Sequence, residues 1–207
     1  MSIGAVILAA GEGSRIGFRP KCLLCIGGEP LIQRQIRFLK GTGVSDIVVV
    51  LGHYGAVIQQ TLGGLPVNFC WQAQDTHKQT DSVRLGVSAL PEGVEAVMVS
   101  PSDLPLLEEA DYRELIKAFA ARREGVHFLG PLVDGVPGNP VIFDAHARSA
   151  LVSGHGPFGN GQWRRGELAS GSHWKTGNSH YVTDVDTEAD RARISGEFGI
   201  DLVWSER

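Results

Sequence analysis

A short apolar run, residues 3–8, passes directly into a glycine-rich loop, and this junction constrains the fold more than any other stretch. An apolar run of that length, bounded by turn residues, reads as a strand buried on both faces, as in a parallel sheet. The loop reads Leu8-Ala9-Ala10-Gly11-Glu12-Gly13-Ser14-Arg15-Ile16-Gly17, followed by Pro20-Lys21. In open parallel sheets, ligands bind beyond the carboxyl ends of the strands. Gly11 and Gly13 let backbone N–H groups face an anion with no Cβ in the way. Arg15 and Lys21 add cationic donors for the same anion. Spacing alone leaves a second reading open, a glycine turn carrying two solvated cations. Two other phosphate loops are excluded. A dinucleotide fingerprint needs a third glycine where Ile16 stands and a helix where Gly17 to Pro20 follow, and a Walker loop is absent.

Beyond the loop, strand and helix patterns alternate. Leu31, Ile32, Ile36 and Leu39 mark a helix over 31–40, closed by Gly41 and Gly43. Ile47 to Leu51 reads as a second buried strand, 54–62 as a helix, Val67 to Trp71 as a third strand, 82–90 as a helix and Ala96 to Val99 as a fourth strand. Residues 108–122 start acidic and end at Arg122, as a helix dipole favours. This alternation predicts a Rossmann-like, three-layer α/β/α fold with a mostly parallel sheet. After residue 130 the rhythm breaks at Pro131, Gly135, Pro137, Gly138 and Pro140. An irregular lid or acceptor-binding segment is expected over about 131–179, weakest in pattern at 153–179. A strand over His180 to Thr183, a helix over 187–198 and a last strand over Ile200 to Trp204 follow. No repeat or linker is visible, so one domain is expected over residues 1–207.

Composition narrows the partners. The formal net charge of −4 lacks the basic footprint of a nucleic-acid binder. An anionic ligand must therefore be held by a few local donors. The N-terminal apolar run has no charged leader and falls far short of the ~20 residues of a membrane span. A cytoplasmic protein with no membrane partner is expected. Three cysteines make an odd set for a disulfide framework. Cys22 and Cys25 form a CxxC without a second pair or a nearby histidine for zinc. Among Leu23, Leu24 and Ile26 they read as buried thiols.

Two aspartate segments follow expected strands. Asp103, in Ser102-Asp103-Leu104-Pro105-Leu106, is placed either to reach a ligand above the sheet or to cap a short turn. In Thr183-Asp184-Val185-Asp186-Thr187, an extended chain puts Asp184 and Asp186 on one side. Thr187 equally suits the cap of the next helix. Magnesium takes one or two carboxylates together with substrate phosphates, so both segments qualify as ligand sources.

L-A-A-G-x-G-x-R-x-G followed by P-K resembles the signature of the MobA-like NTP transferases within the nucleotidyltransferase superfamily. The resemblance extends to D-x-P at Asp103, to D-V-D-T at 184–187 and to G-x-P-V at Gly138-Asn139-Pro140-Val141. Among the branches of that superfamily it looks closest to molybdenum cofactor cytidylyltransferase. It implies that Leu8, Ala9, Ala10, Gly11, Gly13, Arg15, Lys21 and Ser82 bind the nucleotide. It implies catalytic roles for Arg15, Lys21 and Asp103, a magnesium ion on Asp103 and Asp186 with Asp184 in support, and an acceptor site at Gly138, Asn139 and Pro140. The implied reaction transfers a nucleoside monophosphate from an NTP, CTP favoured, to a phosphorylated small-molecule acceptor of the molybdopterin class, with release of pyrophosphate. A recipient molybdoenzyme or its chaperone is an implied partner. At 78–86 the chain departs from the glycine-rich pattern of the cofactor branch. Its S-V-x-x-G also resembles the isoprenoid-pathway enzyme, which leaves the base open between CTP and GTP. Trp163, Trp174, Arg164 and Arg165 are candidates for stacking on an acceptor heterocycle or gripping its phosphate. The alternatives are the same chemistry on a sugar phosphate or methylerythritol phosphate, and a non-catalytic nucleotide or cofactor carrier.

Overall fold

The computed structural model describes residues 1–73, 78–155 and 171–205. The first strand, β1 (Ile3–Ala9), leads into the loop. A short β2 (Leu24–Ile26) and β3 (Glu29–Pro30) follow, then α1 (Leu31–Gly41), β4 (Ile47–Leu51), α2 (Gly55–Thr61), β5 (Asn68–Trp71), α3 (Gln79–Ser88), β6 (Ala96–Pro101) and α4 (Glu109–Ala120). The second half adds β7 (Phe128–Val133), β8 (Val136–Pro137), β9 (Val141–Asp144), α5 (Ala145–Ser153), β10 (Gly171–Lys175), α6 (Glu188–Phe198) and β11 (Leu202–Trp204).

Among the described residues, the main sheet runs β10-β7-β9-β6-β1-β4-β5, with β8 on β7. β1 lies between β4 and β6 and is parallel to both, with Val6 level with Val48 and Val99. Side chains alternate across a strand, so β1 feeds two cores. Ala5 and Ile7 face α1 and α4 through Ile32, Ile36, Tyr112 and Phe119. Val6 faces α3 and α5 through Val83, Val87, Ala147 and Leu151. The three layers follow from that alternation. No described helix is long and apolar enough to cross a membrane.

Gly86 sets how closely α3 approaches the sheet. A Cβ there would lie 2.3 Å from a Val6 methyl and 2.8 Å from a Val50 methyl, both on fully buried side chains. Gly86→Ala is therefore expected to destabilise the fold despite the better helix former. Overpacking costs about 1–3 kcal/mol, and the propensity gain returns about 1 kcal/mol. A lower midpoint in urea unfolding at unchanged slope would show it, and an unchanged or higher midpoint would mean that α3 is free to shift.

The second half departs from expectation in three places. Residues 131–153 are regular, with β9 antiparallel to both β6 and β7. α5 starts where the Asp144 side chain accepts from the Ala147 N–H at 3.0 Å, a cap hidden behind the proline-rich stretch. Ser179–Val182 is a 3-10 turn, not a strand. The Asn178 side chain accepts from the His180 N–H at 3.0 Å, and the Tyr181 hydroxyl donates to the Asp111 carbonyl at 2.7 Å, which coils this segment against α4. The last strand joins no parallel sheet. β11 pairs antiparallel with β2, which pairs with β3, in a separate small sheet. Ile16, Leu24, Leu31, Leu106, Val185, Ile194 and Leu202 form a third core beneath it.

Candidate functional site

The loop after β1 is built around Gly13. Its φ of +60° lies in the left-handed region, and both the Ile16 and Phe18 N–H groups donate to its carbonyl, at 3.0 and 2.9 Å. Ile16 is fully buried in the third core, which anchors the loop from below. The Tyr54 hydroxyl donates to the Phe18 carbonyl at the rim. The loop, the ends of β1 and β6 and the start of α3 enclose a cleft of about 500 Å³. Leu8, Ala9, Ala10, Gly11, Lys21, Ser82 and Asp103 line it. Gly13 stands outside that lining and shapes the loop from behind.

Lys21 is the centre of the charge pattern. Its ammonium donates to Asp103 at 2.5 Å and to Asp186 at 2.8 Å, and Arg15 holds the other Asp186 oxygen at 2.9 Å. Burial works against the ammonium, but the two carboxylates outweigh it and hold the Lys21 pKa above its ordinary value. Residues far apart in sequence meet here for local reasons. Val185 is fully buried in the third core, and its N–H donates to the Asp103 carbonyl at 3.0 Å. That one bond ties the 184–187 segment to the end of β6 and turns Asp186 toward Asp103. Thr187 caps α6 in a reciprocal pair with Asp190, so the capping reading of this segment and the ionic role of Asp186 coexist. Asp103 caps no described helix, since α4 begins from Glu108. Asp184 stays exposed and takes no ion pair among the described residues. Lost hydration and the Asp103 and Asp186 charges push its carboxyl upward.

Two carboxylates from separate segments thus converge on one cationic group. Hard oxygen donors in that arrangement suit a divalent cation completed by phosphate and water. Among the described residues no set of three or more His, Cys, Asp or Glu side chains forms a cage. Cys22 also lines the cleft, but burial and the Asp103 charge push its thiol up to about 12, so it offers no thiolate.

A side cavity of about 210 Å³ adjoins the cleft and shares Leu8, Gln79 and Pro101 with it. Gly138 and Asn139 line it, whereas Pro140 is buried behind them. Gly138 sits close against Tyr181, whose carbonyl accepts from the Asn139 N–H at 2.8 Å. Trp174 turns away to pack edge-on against Tyr181, ring centres 5.7 Å apart. Trp163, Arg164 and Arg165 lie outside the described residues. Lys78 and Gln79, from the 78–86 segment that the resemblance implies reads the base and sugar, also line the cleft, whereas sequence reasoning passed over Gln72 there and Phe128 and His173 in the side cavity. The Ser82 hydroxyl donates to the Gln72 carboxamide at 3.0 Å, a link from β5 to α3 that no local spacing announces.

Residues 5–170 match the model of the MobA-like NTP transferase domain. The chain belongs to this family. Among curated proteins, the bifunctional protein GlmU of Syntrophomonas wolfei is 32% identical over 119 residues, 57% of this chain and 26% of that protein. That match therefore spans about a quarter of the relative's length. Among solved structures, Rv0371c of Mycobacterium tuberculosis superposes with a TM-score of 0.77 at 18% identity, covering 94% of this chain and 97% of that one. A nucleotidyl transferase from Methanothermobacter gives 0.75 at 23% identity, covering 95% and 97%. These structures share the family's fold.

Proposed function

We propose that this chain transfers a nucleoside monophosphate, CMP from CTP, to a phosphorylated acceptor of the molybdopterin class and releases pyrophosphate. The observation that carries the reading is the convergence of Asp103 and Asp186 on Lys21 beside the glycine loop, with a second cavity opening from the same cleft. An acid pair of this kind is superfluous in a carrier that only delivers its ligand.

The chemistry asks little covalent work of the protein. An acceptor phosphate oxygen forms a bond to the α-phosphorus, and the bond from that phosphorus to the β-phosphate oxygen breaks. The nucleophile is already anionic, so no strong general base is needed. The loop backbone, Arg15 and Lys21 bind and neutralise the triphosphate. Asp103 and Asp186 would hold magnesium, which supplies charge neutralisation and polarisation at the phosphates when bound. Gly138 and Asn139 position the acceptor. A recipient molybdoenzyme or its chaperone would take the product.

The test is pyrophosphate release with magnesium, molybdenum cofactor as acceptor and each of CTP, GTP, UTP and ATP in turn. Release with CTP alone is expected. Release with GTP alone would move the base preference to guanine and keep the acceptor. No release with any nucleotide would discard molybdopterin, and sugar phosphates and methylerythritol phosphate would be the next acceptors to try.

A further inference from the structure

Two of the cations in and beside the cleft, Lys21 and Arg15, are already engaged, and Lys78 lines the cleft as well. Lys21 is shared between Asp103 and Asp186, and Arg15 is drawn to Asp186. With a triphosphate bound, both face its charge. An acceptor phosphate brings further negative charge to the same junction and needs a donor on its own side.

The side cavity holds one such group. Of the described side chains lining it, His173 is the only titratable one. Leu8, Val99, Phe128 and Val141 are its apolar side chains, and Gln79 and Asn139 its neutral polar ones. The register explains how His173 reaches the cavity. β10 runs parallel to β7, and His173 lies level with Gly130. Register partners on adjacent strands point to the same face. Gly130 offers no side chain there, and it lines the same cavity, so the register position beside the imidazole is left open. The edge of the ring meets Phe128, two residues before Gly130, with centres 6.3 Å apart and planes at 84°. That contact fixes the ring plane.

We propose that His173 is the specificity-determining residue for the acceptor, its imidazole donating to the acceptor's phosphate beside Asn139. This extends the reading of the side cavity as the acceptor subsite. A pocket of about 210 Å³ is below the roughly 300–1,000 Å³ of drug-sized ligand sites, so it admits one ring or one phosphate-bearing arm.

The test compares wild type, His173→Ala and His173→Gln. Two measurements are made on each. The first is the histidine ring NMR spectrum of the CTP-saturated protein titrated with inorganic phosphate, the His173 signal being identified by its loss in His173→Ala. A saturable shift of that signal is expected, and its immobility would overturn the proposal. The second is steady-state transfer with molybdenum cofactor, glucose 1-phosphate and methylerythritol phosphate as acceptors. For whichever acceptor wild type uses, His173→Ala is expected to raise the acceptor KM by about tenfold or more while kcat and CTP affinity change little. His173→Gln, which keeps a donor, should recover part of the loss. An unchanged acceptor KM in a variant of normal melting temperature would overturn the role of His173. Wild type using only a sugar phosphate would instead overturn the molybdopterin reading and leave His173 standing if the KM effect persists.

Discussion

Asp103→Asn is expected to lower kcat by about a thousandfold, or about 4 kcal/mol in the barrier, with little change in stability. The amide keeps the shape of the side chain and removes its charge. Asp103 holds the Lys21 ammonium at 2.5 Å, so the substitution deletes one of the two anionic oxygens that converge on this point. Lys21 keeps its bond to Asp186 at 2.8 Å. No buried charge is left without a partner, which is the condition under which such losses become severe for folding. The control is Asp184→Asn. That carboxylate is exposed and takes no ion pair among the described residues, so its loss should change turnover by less than about tenfold. Pyrophosphate release and thermal melting of both variants decide the matter. Turnover of Asp103→Asn within tenfold of wild type would remove Asp103 from the metal site, and equal damage from both variants would shift the site toward Asp184.

Gly13→Ala should cut nucleotide affinity by about 10- to 100-fold, or about 1.4–2.8 kcal/mol. The position combines two obstacles. Its φ of +60° belongs to the left-handed region, which costs an ordinary residue about 1–2 kcal/mol. A Cβ there would also lie 2.1 Å from the Arg19 carbonyl oxygen, a backbone atom that yields only if the turn opens. Two N–H groups of the loop bond to the Gly13 carbonyl, so opening one side loosens Ile16 and Phe18 together. Gly11→Ala makes the useful contrast. A Cβ at Gly11 meets nothing within 4 Å, so this variant should melt normally and lose affinity only where the methyl group meets phosphate. Isothermal titration with CTP alongside melting separates the two. Normal CTP affinity in Gly13→Ala would mean that the left-handed turn is dispensable for binding.

The first half of the chain was legible because its signals are local. A run such as Ile47–Leu51 is apolar at every position, which only a strand buried on both faces tolerates. Leu31, Ile32, Ile36 and Leu39 repeat at the helical period. Past residue 130 the informative contacts are long-range. Tyr181 is buried because α4 offers its hydroxyl a carbonyl some seventy positions earlier. Cys25 and Val203 pair as strand neighbours across most of the chain. Neither periodicity nor turn chemistry carries such pairings, so the 3-10 turn was misread as a strand and β2 was passed over.

The sequence by itself determined the residue chemistry. It supplied the glycines, Arg15 and Lys21 after the first strand, the aspartates after later strands and the alternation that yields a three-layer sheet. The tertiary structure decided which of those groups meet. Val185, buried to the last atom and bonded to the Asp103 backbone, brings Asp186 and not Asp184 onto Lys21. The parallel register of β10 on β7 brings His173 level with Gly130 and into the side cavity. Both choices depend on burial and strand pairing between segments far apart in the chain, where the free energy lies in contacts that no single window of sequence contains.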